Sequence, residues 1–525
     1  MGAGKGIFKS TMGYSSVIFL SRILGLFREI LCAHILGGGL VMSAWSTAFL
    51  LPNLFRRILG EGALGTALIP LISHTLKLEG QEAARRKFST ILIWLTFLLS
   101  AITVAVSVPA ILIEPYVTVE RWKLMLLATP VVMPYCVLIC LIGIITSLLN
   151  SLRSFVLPAL ASLLLNACLI AALALGAAGF CRGSSVEFLR MLGISVLISG
   201  ALELVLLGGL LKKFGMVPEF SKRSILNFSA ISEILKLALP GLIGMSALQV
   251  SVLCDRAIAM SIDNNAAAAL TYSDRLIYLP IGIFAVAFGT VSLSVMSEAA
   301  AAKKLKSMLM MLFSSMRQLL FITIPLAVYM LFFGRNLLDI LFRRGAFDET
   351  ALNASAYALF WYAFGIPAYA ATKVTVSGFY SRKQMKTPVY VSIVCIVLNV
   401  ILSLSLMHPM RQGGVALATA VTAYLNNFIL LYILRRDLGR MPLKSAAYLF
   451  VRTAAVSVIA GFAAWFAYRG FCGIALLERI PKHGGAWFLA TCVFGAVFAL
   501  LAFLFRIREA TAVVHALKRK FLKRS

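Results

Sequence analysis

This chain has little charge and least of all acid: 13% of its 525 residues are charged, with 20 Asp and Glu against 49 Lys and Arg. Soluble domains carry about a quarter charged residues, so a water-facing globular surface is excluded. The nine cysteines are scattered without the C-x-x-C spacing of a metal site and read as small residues of apolar helices. No G-x-x-x-x-G-K-[ST] phosphate loop occurs, which excludes a Walker-type ATPase. The five histidines, His34, His74, His408, His483 and His515, are dispersed, and there is no Asp-x-Asp cluster. An enzyme acting on lipid-linked sugars would gather such groups to hold a metal or move protons, so no catalysis is expected.

What abounds is apolar sequence, 61% of the residues, with a mean hydropathy of +0.94. A helix needs roughly 20 such residues to cross a bilayer, because backbone N–H and C=O groups in hydrocarbon must be paired internally. The first apolar stretch, Ser15 to Leu36, contains Arg22 and Arg28 and lacks a small-residue cleavage site, so it reads as a retained helix. Hydropathy predicts spans near 10–36, 42–73, 88–112, 123–150, 155–179, 189–211, 234–261, 267–297, 308–333, 352–380, 388–407, 413–434, 446–468 and 485–505. The result is an all-α, polytopic membrane protein of about fourteen transmembrane helices.

The links between spans alternate in charge. One set, with Lys77, Arg85–Lys87, Lys212, Lys213, Lys303, Lys304, Arg382, Lys383, Arg435 and Arg436, holds together with the termini more than half of the basic residues. The positive-inside rule makes that set cytoplasmic and places both termini inside. The net charge of +29 sits in short links and not on a soluble face, so its partner is the anionic membrane lipid surface and not nucleic acid. The basic, amphipathic C-terminal stretch reads as an anchor on anionic lipid, with a regulatory or partner-binding tail as the alternative.

The chain also repeats itself. Ala63-Leu-Gly-Thr66-x6-Ser73 matches Ala287-Phe-Gly-Thr290-x6-Ser297 at an offset of 224 residues, and Pro158 with Asn166 is echoed by Pro388 with Asn399. Six helices per copy is an even number, so the copies share one orientation, as in transporters built from two parallel lobes.

The informative residues are ionisable groups inside apolar spans: Arg22, Arg28, Glu29, Arg56, Arg57, Glu61, Asp255, Arg256, Asp274 and Arg275. A central Arg costs about 2.5–3.5 kcal/mol on insertion scales, so such side chains face a wet cavity or a partner. Two structural readings compete: Arg256 and Arg57 can snorkel to headgroups or lock helices, and Arg57 can pair with Glu61 one turn on. If most of these groups line one cavity, six Arg outweigh four acids, and a positive cavity favours an anion. Guanidinium donates two parallel hydrogen bonds and never deprotonates, which suits phosphate.

Ser21-Arg-Ile-Leu-Gly-Leu-Phe-Arg-Glu29 and Ala48-Phe-Leu-Leu-Pro-Asn-Leu-Phe-Arg-Arg-Ile-Leu-Gly-Glu-Gly-Ala63 resemble the N-terminal signature of the MurJ/MviN family, in the multidrug/oligosaccharidyl-lipid/polysaccharide exporter superfamily. The resemblance continues through Leu149-Asn-Ser, Pro158-Ala, Tyr272-Ser-Asp-Arg-Leu276, Pro280, Gly378-Phe-Tyr-Ser, Thr387-Pro388 and Asn399. It implies two six-helix lobes, 1–225 and 226–440, two further helices in 441–507, and a basic cytoplasmic tail, 508–525. It implies a bacterial inner-membrane flippase carrying lipid II, an undecaprenyl-diphosphate glycopeptide, to the periplasmic leaflet, in contact with cell-wall synthesis or division proteins. The family's cavity residues fall on Arg22, Arg28, Arg56 and Arg275, with Arg57 and Glu61 beside them. A family sodium site falls on Asp255, Asn399, the Val415 carbonyl and Thr419. Members often carry Asp where this chain has Ser43, some carry Lys at Leu50 and some Asp at Ser403, so gating and cation coupling built on those charges are absent or replaced here.

Alternating access is the expected mechanism, with the arginines capturing the diphosphate. A flippase for another polyprenyl-diphosphate glycan would share that cavity. A cation-coupled drug exporter of the same superfamily should show acids outnumbering bases, the reverse of this sequence. A scaffold that organises cell-wall enzymes would tolerate neutral Arg28 and Arg275.

Overall fold

The computed structural model describes residues 2–60, 62–152, 154, 156–180, 184–221, 227–439, 441–474 and 484–511. Among them the regular structure is helical: α1 (Gly2–Leu36), α2 (Leu40–Phe55), α3 (Ala63–Leu78), α4 (Gly80–Ile113), α5 (Glu120–Val132), α6 (Tyr135–Ser151), α7 (Val156–Ala177) and α8 (Ser185–Lys213) come first. They are followed by α9 (Phe228–Ile262), α10 (Ala266–Pro280), α11 (Val286–Ala301), α12 (Leu305–Phe342), α13 (Glu349–Ser381), α14 (Lys386–Leu438), α15 (Leu443–Cys472) and α16 (Gly484–Leu504). Nine described helices are long and apolar enough to cross a membrane, and ten if α5 and α6 form one span. The other expected spans correspond to α1, the α2–α3 segment, α13 and the second arm of α14.

Five spans differ locally from the hydropathy reading. The 42–73 stretch is not one helix: a π turn, Arg56–Gly60, ends α2 before α3 begins. The 123–150 stretch bends by 49° between α5 and α6, where Pro134 supplies no backbone N–H and the ladder is interrupted. The spans 388–407 and 413–434 run together as α14, broken only at Arg411 (φ 49°, ψ −136°). A second π turn, Ile281–Ala285, separates α10 from α11. The two π turns stand 225 residues apart, each directly upstream of the repeated Gly-Thr segment. Duplication thus extends from sequence to a backbone irregularity, of a kind that concentrates at functional sites.

The chain forms two compact units, Met1–Ala268 with Arg344–Asp348, and Ala269–Arg343 with Glu349–Ser525. Contact grouping therefore puts α9, which packs on α3, with the preceding helices; the expected lobe boundary at 225 is a matter of repeat symmetry, a separate property. In the first unit the π turn lies against α6. A methyl group on Gly143 would sit 2.7 Å from the Gly60 carbonyl carbon, so only glycine permits that approach. At one end of the unit the segment after α8 is tied to α4 by Arg85–Glu219 at 3.0 Å, and Lys87 pairs with Glu79 at 3.0 Å and Glu233 at 3.4 Å.

In the second unit α12 buries eighteen residues and packs on α13 and α15. Arg317 of α12 pairs with Glu509 at 2.6 Å and donates to Ser445 at 2.9 Å, tying the segment after α16 to α12 and α15. Residues 512–525, which include most of the expected basic tail, lie outside the described residues. Helix α15 carries Arg452 over Tyr448 near one end and Arg469 over Trp465 near the other. Seventeen residues of helix separate the two rings, about 26 Å. That is close to the thickness of the hydrocarbon layer, whose edges such amphipathic pairs mark. The eight described cysteines are free thiols, with Cys32, Cys136, Cys140 and Cys395 buried.

Candidate functional site

In the first unit the best-built polar site joins α1 to α7. Arg28 lies eight residues before the end of α1, about 12 Å along its axis. It donates through Nη1 to Asn166 Oδ1 at 3.1 Å and pairs through Nη2 with Glu29 Oε1 at 2.5 Å. Gly25, on the same face, lies beside Asn166 Oδ1. The Asn166 amide in turn donates to the Ser21 carbonyl at 3.5 Å, and Ser21 and Ser162 share a hydrogen bond of 3.4 Å. Arg28 is thus oriented by a neutral acceptor on one side and a carboxylate on the other. The sequence reading took Asn166 only as an echo of the repeat; an amide inside an otherwise apolar span was the available sign. Arg22, two turns away, is exposed.

Arg56 and Arg57 open the π turn, where the wider winding spreads successive side chains differently from an α-helix. Arg57 is exposed and donates to Gln249 of α9 at 3.4 Å. Glu61, the expected partner of Arg57, lies outside the described residues. Arg256 donates to the Ala267 carbonyl at 2.8 Å and is buried, which favours its structural reading. Asp255, its neighbour, is also buried.

The departure at Ser43 has a structural counterpart. Its buried hydroxyl donates to the Asn264 carbonyl at 2.6 Å and accepts the Ala268 N–H at 3.1 Å. An ionised Asp accepts only, so it cannot make both bonds. Arg121 grips the same turn through the carbonyls of Met260, at 2.5 Å, and Ser261, at 3.3 Å, and through Asn264 Oδ1. Ser43→Ala should remove the donor to the Asn264 carbonyl and orphan the buried Ala268 N–H, at about 1–3 kcal/mol for the orphaned group, measured as a lower midpoint of thermal unfolding in detergent.

In the second unit Arg275 is exposed, ten residues into α10, with Asp274 half-buried beside it. Three of the expected sodium ligands belong to this unit and come together: Asn399 Nδ2 donates to Thr419 Oγ1 at 3.2 Å, and Thr419 donates to the Val415 carbonyl at 2.9 Å. The Ser403 hydroxyl, one turn from Asn399, is fully buried and has no partner among the described residues. These donors are all oxygens or can present one, which suits a small hard cation, once the Asn399 amide turns its oxygen inward.

A family model described as lipid II flippase MurJ matches residues 32–473. The chain belongs to the MurJ family. A lipid II flippase MurJ of Burkholderia cenocepacia is 29% identical over 471 residues, covering 88% of this chain and 90% of its own length. A probable lipid II flippase MurJ of Rhizobium meliloti is 30% identical over 460 residues, 85% of each chain. Among solved structures, a lipid II flippase MurJ in an inward closed conformation shares the fold with a TM-score of 0.76 and 22% identity over 94% of this chain and 98% of that one. A multidrug resistance MATE family transporter of the MOP superfamily follows at 0.68 and 14% identity, covering 82% and 98%. The MurJ-family resemblance read from the motifs is therefore established for this multi-span helical membrane protein, within a wider superfamily fold.

Proposed function

We propose that the protein is a lipid II flippase, moving the undecaprenyl-diphosphate-linked peptidoglycan precursor from the cytoplasmic to the periplasmic leaflet of the bacterial inner membrane. The observation that carries this reading is the family match over residues 32–473, in a chain whose Arg28 is held by Asn166 and Glu29. The chemistry is binding and movement, without catalysis. Arg22, Arg28, Arg56 and Arg57 of the first unit and Arg275 of the second supply guanidinium groups for the diphosphate, in a cavity that opens alternately to either side. An inside-negative potential contributes about 2.3 kcal/mol per charge per 100 mV. It favours outward movement of an anion and inward return of an empty cationic site.

The test is replacement of an essential lipid II flippase in vivo by this gene. The parent should sustain lipid II export and Arg275→Ala should not; a parent that inserts and fails to export overturns the assignment.

Sodium binding belongs to the same proposal. Asn399, Thr419 and the Val415 carbonyl would hold the ion, with Asp255 as the only charged member of the expected set. The bound ion would supply positive charge that stabilises the conformation in which these oxygens converge. Sodium, in preference to potassium, should raise the melting temperature of the purified parent, and Asn399→Ala should remove the difference. An equal response to both ions in the parent sinks the sodium site.

A further inference from the structure

The repeat places two packing contacts in register. In the first unit a methyl group on Gly65 would meet Ser147 Oγ, and Ser147 donates to the carbonyl of Gly143 at 3.0 Å. In the second unit a methyl group on Gly289 would lie 3.8 Å from Ser377 Oγ, and Ser377 donates to the carbonyls of Lys373 at 3.0 Å and Gly289 at 3.1 Å. Ser151 and Ser381 repeat the pattern, donating to Leu148 and Gly378. The shift of 230 residues is the one that relates Pro158 to Pro388. Gly143 and Lys373 are therefore equivalent positions. The first copy sets Gly143 there against Gly60 of the π turn that leads into α3; the second carries a cation.

The fold does not require that cation, since the equivalent helix pair is built without it. Lys373 lies eight residues before the end of α13, about 12 Å along the axis, within a span where an ammonium group is costly unless it meets water or an anion. It is exposed and has no hydrogen-bond or ion-pair partner among the described residues. Its stem lies beside Gly289 of α11, and Thr290, the next residue, is exposed.

We propose that Lys373 is a further cargo-binding cation, which receives the diphosphate of a polyprenyl lipid in the cytoplasmic half of the second unit, ahead of Arg275. The proposal rests on the lipid-diphosphate reading above and on the charge-derived orientation. That orientation puts the end of α13 inside and the start of α10, with Arg275, toward the outside. A lysine suits a first, mobile encounter because its ammonium is a point charge on a flexible stem, whereas arginine fixes geometry.

The test measures binding of undecaprenyl diphosphate to the purified full-length protein, with phosphatidylglycerol as an ordinary headgroup for comparison. Lys373→Gln should weaken undecaprenyl diphosphate binding at least about tenfold, the scale of one lost charge-assisted contact. Lys373→Arg should stay near the parent, and phosphatidylglycerol binding should not change. Three results overturn the proposal: parental affinity in Lys373→Gln, whether or not its melting temperature falls; equal losses for both lipids, which would make Lys373 a general headgroup anchor; or no binding of undecaprenyl diphosphate by the parent. If the parent binds it through Lys373 but does not export lipid II in vivo, the lysine assignment stands and the flippase assignment falls.

Discussion

Arg28→Ala should abolish lipid II export in cells that depend on this protein, and Arg28→Lys should restore only a small part of it. The alanine variant loses the donor to Asn166 and takes the Arg28 partner from the Glu29 carboxylate, which is 6% exposed. Breaking a buried pair from one side costs about 3–5 kcal/mol, so loss of export by Arg28→Ala alone does not separate binding from folding. The double variant Arg28→Ala/Glu29→Gln separates them. It neutralises the buried carboxylate as well and should recover normal insertion and most of the lost stability, while export stays absent because no fork remains to bind the diphosphate. Export regained in the double variant would show that the pair is only a structural lock. Lysine keeps the charge but cannot serve Asn166 and an anion with parallel donors.

Gly143→Val should be strongly damaging in the first unit. The added carbons would enter the space of the Gly60 backbone, with the carbonyl carbon at 2.7 Å and Cα at 2.9 Å from the first of them. Backbone in a π turn cannot step aside as a flexible side chain does, and overpacking costs about 1–3 kcal/mol, occasionally more. The expected result is a sharply lower yield of folded protein and a lower melting temperature. The same change at Gly209, where a methyl group meets nothing within 4 Å, should be tolerated. Because Gly60 closes the turn that carries Arg56 and Arg57, surviving Gly143→Val protein should also bind undecaprenyl diphosphate less well.

The membrane fold was legible because its causes are local and repeated: apolar runs of spanning length and basic links on alternate sides require no tertiary information. The duplication was legible at Gly65-Thr66 and Gly289-Thr290 because close helix packing restricts residue choice there. The π turns were not. Gly60, Gly62 and Pro280 loosen the helix, but whether a loosened helix takes one extra residue into a turn depends on what packs against it. Lys373 escaped notice because it stands near a basic link, where a lysine looks like an ordinary end-of-span residue; its distinction appears only when α13 is compared with α6. At Ser43 the sequence showed a missing charge, and the structure shows a hydroxyl whose two bonds clasp the turn between α9 and α10.

The Arg–aromatic stacks at either end of α15 give that helix a preferred height in the lipid. Their spacing is fixed by the helix rise, so a bilayer built from longer acyl chains must thin around α15 or submerge one stack. Either response strains the helix. Its attachment to α12, whose Arg317 also holds Ser445 and Glu509, transmits that strain into the second unit. Acyl-chain length in the host membrane is thereby coupled to the mechanics of the helices that carry Arg275 and Lys373.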